Sequence, residues 1–258
     1  MKIAFFDIDG TLLDFKCEKM SKKTIYALKE LQKNGIKTFV ATGRPKPIAP
    51  RFIDVEFDGM MSYNGMLCET KDCIIYQNSL NRLDASRVIE NANRMNIPLA
   101  IADRETMVLN YEEKDIVEYL KSVSVTLEVA DNFDEIAQHD LIEITIALPE
   151  ALEPELLKGT TTIKASRWCP LACDLISNTG GKDVGIQKIL DYYGFTKNDA
   201  MAFGDGGNDK TMLEYVGLGI AMGNAVEDVK EIADYITDSV SEDGIYTALV
   251  HYGFIKEM

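Results

Sequence analysis

The sequence predicts an α/β fold in which a parallel-sheet core is split by an inserted α+β segment. Short apolar strands alternate with amphipathic helices at both ends of the chain, and several of these strands run straight into loops rich in Gly, Asp and Thr. Between them the texture shifts to strand-rich segments with less helix. The core is therefore read as residues 1–80 and 180–258, and residues 81–179 as an inserted cap.

The first strand, Lys2 to Phe6, empties into Asp7-Ile8-Asp9-Gly10-Thr11. Strand alternation points Asp7 and Asp9 in similar directions, so both could face one site. Taken alone, Asp9-Gly10-Thr11 reads equally as a strand-ending turn. Ser21 caps a helix over Lys22 to Asn34, with Ile25, Leu28 and Leu31 on one face and Asn34-Gly35 as its stop. The next strand, Ile36 to Ala41, ends in Thr42-Gly43-Arg44-Pro45; the β-α-β order makes it parallel to the first, so Thr42 and Asp7 emerge on one edge. Phe57 to Tyr63 is a third strand ending in Asn64-Gly65, followed by a hairpin of Met66 to Glu69 and Cys73 to Gln77.

The insertion opens with a helix from Leu83-Asp84 to Asn96, Asp84 as its cap and Leu83 stapled against Val88. Strands are expected at Leu99 to Ala102, Thr106 to Asn110, Ile142 to Ala147 and Thr161 to Ser166, with a helix over Lys114 to Ser122. Ile142, Ile144 and Ile146 alternate with Glu143 and Thr145, as in a sheet with one wet face. After Asn178 the α/β rhythm returns. Lys182 starts a helix bearing Ile186, Ile189, Leu190 and Tyr193 and closed by Gly194, and strand Ala200 to Phe203 ends in Gly204-Asp205-Gly206-Gly207-Asn208-Asp209. A helix to Val216, strand Leu218 to Ala221, helix Val226 to Ala233, strand Tyr235 to Thr237 and helix Ile245 to Tyr252 complete the chain.

The chain of 258 residues carries a formal charge of −15, which argues against a nucleic-acid backbone or an anionic membrane as partner. A small anionic substrate remains compatible if a local positive pocket or a divalent cation compensates. The five cysteines, Cys17, Cys68, Cys73, Cys169 and Cys173, are odd in number and lack C-x-x-C spacing. They fit a reducing compartment, and their apolar neighbours favour packed thiols over zinc. No stretch approaches the ~20 apolar residues of a membrane span, and no basic-then-apolar leader opens the chain, so a soluble cytoplasmic protein is expected.

Four polar clusters fall at strand ends or a helix start: Asp7/Asp9, Thr42/Arg44, Lys182 and Asp205/Asn208/Asp209. Phosphoryl transfer needs this inventory, because a carboxylate nucleophile meets an anionic ester only when charge is neutralised. Asp7 and Asp205 can bind Mg²⁺, while Lys182, Thr42 and Asn208 can hold phosphoryl oxygens. A calcium loop at Asp205–Asp209 is disfavoured, since it lacks alternating ligands and a distal Glu. Lys182 sits at the helix end where a cation is electrostatically disfavoured, which suggests that it meets an anion.

These motifs, D-x-D-G-T at Asp7 to Thr11, A-T-G-R at Ala41 to Arg44, Lys182 and G-D-G-x-N-D at Gly204 to Asp209, resemble those of haloacid dehalogenase-superfamily phosphatases of the Cof type. The resemblance implies a Rossmann-like core with an α/β cap that selects the substrate, here a small phosphorylated metabolite. It implies Asp7 as nucleophile and Asp9 as general acid and then base. Mg²⁺ is implied on Asp7, the Asp9 backbone carbonyl and Asp205, with Asp209 in support. Gly10, Thr42, Gly43, Arg44, Lys182 and Asn208 are the expected phosphate and substrate contacts, Arg44 equally suiting a structural ion pair. Arg167-Trp168 resembles a pair in sugar-phosphatase relatives, set against a reading of Trp168 as core and Arg167 as a salt bridge. His139 and His251 are read as structural. The expected activity is hydrolysis of a phosphate monoester, most simply a sugar phosphate. The alternatives are a phosphomutase or phosphotransferase of the same superfamily, or a phosphoacceptor module, which the acid/base at Asp9 disfavours. Oligomeric state is not readable from the sequence.

Overall fold

The computed structural model describes residues 1–15, 19–122, 125–167 and 170–258, and the chain separates into two compact units. Cys17, Trp168 and Cys169 lie outside the described residues. The first unit comprises Met1–Gly43, Pro50–Tyr76 and Gly181–Met258, and the second Arg44–Ala49 and Gln77–Gly180, which takes Arg44 into the second unit. Among the described residues no helix is long and apolar enough to cross a membrane.

The first unit starts with β1 (Ile3–Phe6), α1 (Lys22–Lys33), β2 (Lys37–Ala41), β3 (Gly59–Ser62), β4 (Leu67–Thr70) and β5 (Ile74–Gln77). The second contains α2 (Arg82–Met95), β6 (Leu99–Ala102), β7 (Met107–Leu109), α3 (Lys114–Ser122), α4 (Phe133–Ile136), β8 (Glu143–Ile146), α5 (Glu153–Leu156), β9 (Ile163–Arg167) and β10 (Cys173–Ser177). The first unit then resumes with α6 (Lys182–Tyr193), β11 (Ala200–Gly204), α7 (Lys210–Tyr215), β12 (Leu218–Ala221), α8 (Glu227–Lys230), β13 (Tyr235–Ile236) and α9 (Gly244–His251).

The main sheet has the order β13-β12-β11-β1-β2-β3-β4-β5, parallel from β13 through β3, with β4 turning antiparallel. Residues 3–6 of β1 are fully buried, because both faces of the sheet are covered. Ala4 and Phe6 face a core built with Ala27, Leu28 and Leu31 of α1 and Ala248 and Leu249 of α9. Ile3 and Phe5 face the opposite core, with Ile186, Ile189 and Leu190 of α6 and Met212 and Leu213 of α7. Phe6 stacks on Phe203 of the neighbouring β11 at 5.0 Å. This sandwich fixes where β1 and β11 end, and those ends carry Asp7 and Asp205.

The second unit is built on an antiparallel sheet of order β7-β6-β8-β10-β9. Three expectations change here. Asn81, not Asp84, caps α2, accepting the Leu83 and Asp84 N–H groups at 3.0 and 3.2 Å. Asp84 Oδ2 instead accepts from Thr161 N–H (2.9 Å), Thr162 N–H (2.7 Å) and the Thr162 hydroxyl (2.6 Å), and Leu83 is exposed rather than stapled. The face of β8 carrying Glu143 and Thr145 is buried rather than wet, with Asp174 of β10 joined to Thr145 at 3.1 Å. Burial, then the Asp174 charge, pushes the Glu143 carboxyl well above its usual range, so the face is polar but dry. β10 itself was not expected, because Asp174 and Ser177 interrupt its apolar run. Cys68 and Cys173 pack into the cores of their respective units, and burial pushes the Cys68 thiol up, as suits structural thiols.

Candidate active site

Asp7 follows β1 directly, its N–H extending the ladder to Phe203 O at 3.0 Å. The chain then turns sharply, and Gly10 adopts φ +83° with its N–H donating to Leu13 O at 2.8 Å. A Cβ at Gly10 would fall 2.1 Å from Asp205 Oδ2, so only glycine lets the two loops meet. The Thr11 hydroxyl donates to Asp205 Oδ1 (3.2 Å), and Asn224 Nδ2 donates to both Gly10 O (2.9 Å) and Asp205 Oδ2 (3.3 Å). Asp9 is half-buried beside this turn.

Lys182, the first residue of α6, buries its whole side chain and joins two of the carboxylates, reaching Asp7 Oδ1 at 2.7 Å and Asp209 Oδ1 at 2.5 Å. Asp209 Oδ2 in turn accepts the N–H groups of Asp205 (2.9 Å) and Gly206 (3.0 Å), which folds the loop after β11 around it. Burial works against the Lys182 charge, but Asp209 and Asp7 outweigh it and hold its pKa above the ordinary lysine range. Asp7 and Asp205 are pushed up by burial first and then by neighbouring carboxylates: Asp209 chiefly for Asp7, and Asp7 for Asp205.

Ligand oxygens of Asp7, Asp205 and Asp209 all lie within 4.8 Å of one another. Three buried carboxylates against one ammonium leave a formal charge of −2 when ionised, and hard oxygen donors at this spacing suit a divalent cation. The donor set fits such an ion, whose charge would return Asp7 and Asp205 to their ionised forms.

Thr42 and Gly43 leave β2 on the same edge. Thr42 N–H donates to Met61 O at 2.8 Å, and its C=O accepts from Asn64 N–H at 3.1 Å. Asn208 Nδ2 donates to Asn64 Oδ1 at 3.1 Å, and both side chains crowd Gly43, where a Cβ would lie 2.9 Å from Asn64 Oδ1 and 3.3 Å from Asn208 Nδ2. The first unit thus brings together Asp7, Asp9, Gly10, Thr42, Gly43, Lys182, Asp205, Asn208 and Asp209. Arg44 belongs to the second unit. Arg167 is committed there: its guanidinium donates to Glu153 Oε1 (2.9 and 2.7 Å) and to the carbonyls of Leu148 (3.1 Å), Pro170 (3.1 Å) and Ala172 (3.2 Å). His139 pairs with Asp103 at 2.7 Å, and His251 stacks on Tyr235 at 4.7 Å, both remote in role from the carboxylate cluster. The sequence reading placed Thr11 in the first motif and Asn64 at a strand end without giving either a role in the site, and it did not single out Asn224. Asn64 and Asn224 follow strands β3 and β12 at the edge that carries Asp7, a placement that could have marked them.

A family model described as haloacid dehalogenase-like hydrolase matches residues 4–249. The "Putative phosphatase YkrA" of Bacillus subtilis (strain 168) is 33% identical over 258 residues, covering 99% of each chain. The "5-amino-6-(5-phospho-D-ribitylamino)uracil phosphatase YitU" of the same organism is 27% identical, covering 95% of each. A solved structure described as "the HAD Subclass IIB Sugar Phosphatase BT4131" is 32% identical, with a TM-score of 0.90 over 99% of this chain and 100% of that one.

Proposed function

The chain belongs to the haloacid dehalogenase-like hydrolases, with the fold of their subclass IIB, Cof-type phosphatases, and from that premise we propose a Mg²⁺-dependent hydrolysis of sugar phosphates through an aspartyl-phosphate on Asp7. At the coarser level it is a phosphatase acting on phosphate monoesters, and the family implies a divalent metal, which the buried Asp7/Asp205/Asp209 cluster could hold. The observation that carries the reading is this cluster with Lys182 buried in its middle.

Asp7, Asp205 and the Asp9 backbone carbonyl would hold Mg²⁺ with Asp209 in support, and the ion would offset the repulsion between carboxylate and phosphate. Lys182 opposes the upward push that burial and Asp209 give Asp7 and, with Thr42 and Asn208, holds the phosphoryl oxygens as their charge spreads. A carboxylate oxygen of Asp7 attacks phosphorus, the bond to the ester oxygen breaks, and Asp9 gives its proton to that leaving oxygen. Asp9, now a carboxylate, takes a proton from water as the water oxygen attacks phosphorus. The bond to Asp7 then breaks, releasing inorganic phosphate and restoring both aspartates.

The second unit, as an inserted cap, would select the ester. Arg44 is the residue there that we propose as a substrate contact, whereas Arg167 would have to surrender its bonds to Glu153 and three carbonyls and is better suited to bracing that unit. The sugar phosphatase above supports the substrate class, and the free thiols Cys68 and Cys73 support a cytoplasmic setting. Phosphate release from a panel of sugar phosphates, nucleotides, pyridoxal phosphate and p-nitrophenyl phosphate, with Mg²⁺ and with chelator, tests this. Mg²⁺-dependent turnover favouring sugar phosphates and lost in Asp7→Asn is expected. No turnover of any ester by folded, Mg²⁺-loaded protein would contradict it.

A further inference from the structure

Resting on the phosphoryl contact proposed for Asn208, we infer that Asn64 is a positioning residue that fixes which end of the Asn208 amide an anion meets. An asparagine side chain presents an oxygen at one end and two N–H donors at the other, and rotation by half a turn exchanges them. Asn64 Oδ1 accepts from Asn208 Nδ2 at 3.1 Å, which engages one of its two N–H groups. The rotated amide would set two oxygens against each other there and would offer a repelling oxygen to a phosphoryl group. Asn64 thereby keeps the second N–H available for an anion.

Asn64 can do this because its own position is tightly set. Tyr63, Asn64 and Gly65 have φ values of +54°, +53° and +89°, a run of left-handed residues that includes a bulky aromatic. Such backbone is sparsely populated outside glycine and asparagine, and it persists where packing enforces it. Here Tyr63 is fully buried, Asn64 N–H is tied to Thr42 O at 3.1 Å, and Gly65 lies against Gly181 O and Lys182 Cα, so a Cβ there would come within 2.2 and 3.1 Å of them. One strained turn therefore touches the loop of Thr42 and Gly43, the start of α6 at Lys182, and Asn208. Three separately encoded groups share a single brace.

The test uses p-nitrophenyl phosphate as substrate, inorganic phosphate as competing anion, and the full chain with Mg²⁺. Asn64→Gly removes the side chain and suits the left-handed backbone, so a melting temperature near that of the wild type is expected. Its phosphate inhibition constant should rise about tenfold, the scale of one lost hydrogen bond to an anion. Combined with Asn208→Ala it should be no worse than Asn208→Ala alone, because both changes remove one contact. A merely structural role would not produce that non-additivity. Phosphate affinity unchanged in Asn64→Gly, or losses that multiply in the double variant, would overturn the inference while leaving the proposed function standing if wild type turns over and Asn208→Ala weakens phosphate. An Asn208→Ala that keeps full phosphate affinity overturns both the contact and the inference. Should Asn64→Gly not fold, Asn64→Asp keeps the backbone preference and the acceptor: phosphate affinity that still falls when Asn208→Ala is added supports the brace, and indifference to it overturns the brace.

Discussion

Gly10 and Asp205 meet so closely that the active-site carboxylates depend on a missing side chain. Gly10→Ala would place a methyl 2.1 Å from Asp205 Oδ2 on a backbone with φ +83°, so the Asp205 carboxylate must move. We expect a fall in kcat/KM of about 10²-fold together with weaker Mg²⁺ activation, read from a Mg²⁺ titration of phosphate release; unchanged values would remove Asp205 from the metal site. Most of the residues that gather here were legible in the sequence, because each follows a strand end or starts a helix. Asp7, Asp9, Thr42, Lys182 and Asp205–Asp209 all stood out as polar groups at the close of apolar runs. Asn64 and Asn224 did not, since an asparagine beside glycine reads first as a turn. Their value lies in contacts across more than a hundred residues, to Asn208 and to Gly10.

At the scale of elements, the parallel core was readable because its strands are buried on both faces and its helices carry one apolar stripe each. The inserted unit was harder. Asn81 and Asp84 both suit a helix start, and sequence alone does not say which one caps when the helix can begin three residues earlier. Alternation along β8 reported polarity correctly but not solvent, because Glu143 and Thr145 lie on a covered face. Asp84 carries a prediction. Its three hydrogen bonds tie α2 to the turn before β9, the Thr162 hydroxyl leading in lowering its pKa below the unfolded value of 3.8. A depressed carboxylate contributes stability above its unfolded pKa, and that contribution is lost as pH falls through the folded value. Asp84→Ala should therefore lower stability by about 2 kcal/mol at pH 7. In urea titrations the gap from wild type should close as pH drops below about 4, and a gap that is independent of pH would show that the ionised carboxylate is not the tie.

At the scale of the molecule, a chain with a formal charge of −15 gathers three buried carboxylates, two of them paired with the Lys182 ammonium, and on the proposed function a cation would join them to offset the charge of an anionic substrate. On the proposed function the two units separate tasks: the first, which carries Asp7, Asp9, Lys182 and Asp205, would hold the reacting groups, and the second would choose the ester. The central claim is that Asp7 carries the phosphoryl group. It is tested most directly in Asp9→Asn, where the acid and base are gone and Asp7 is intact. Incubated with Mg²⁺ and p-nitrophenyl phosphate, whose leaving group needs little protonation, this variant should accumulate a phosphoryl adduct on the peptide containing Asp7, visible by mass spectrometry after acid quench and absent in Asp7→Asn. Turnover that survives in Asp7→Asn, with no adduct on Asp7 in Asp9→Asn, would contradict the account.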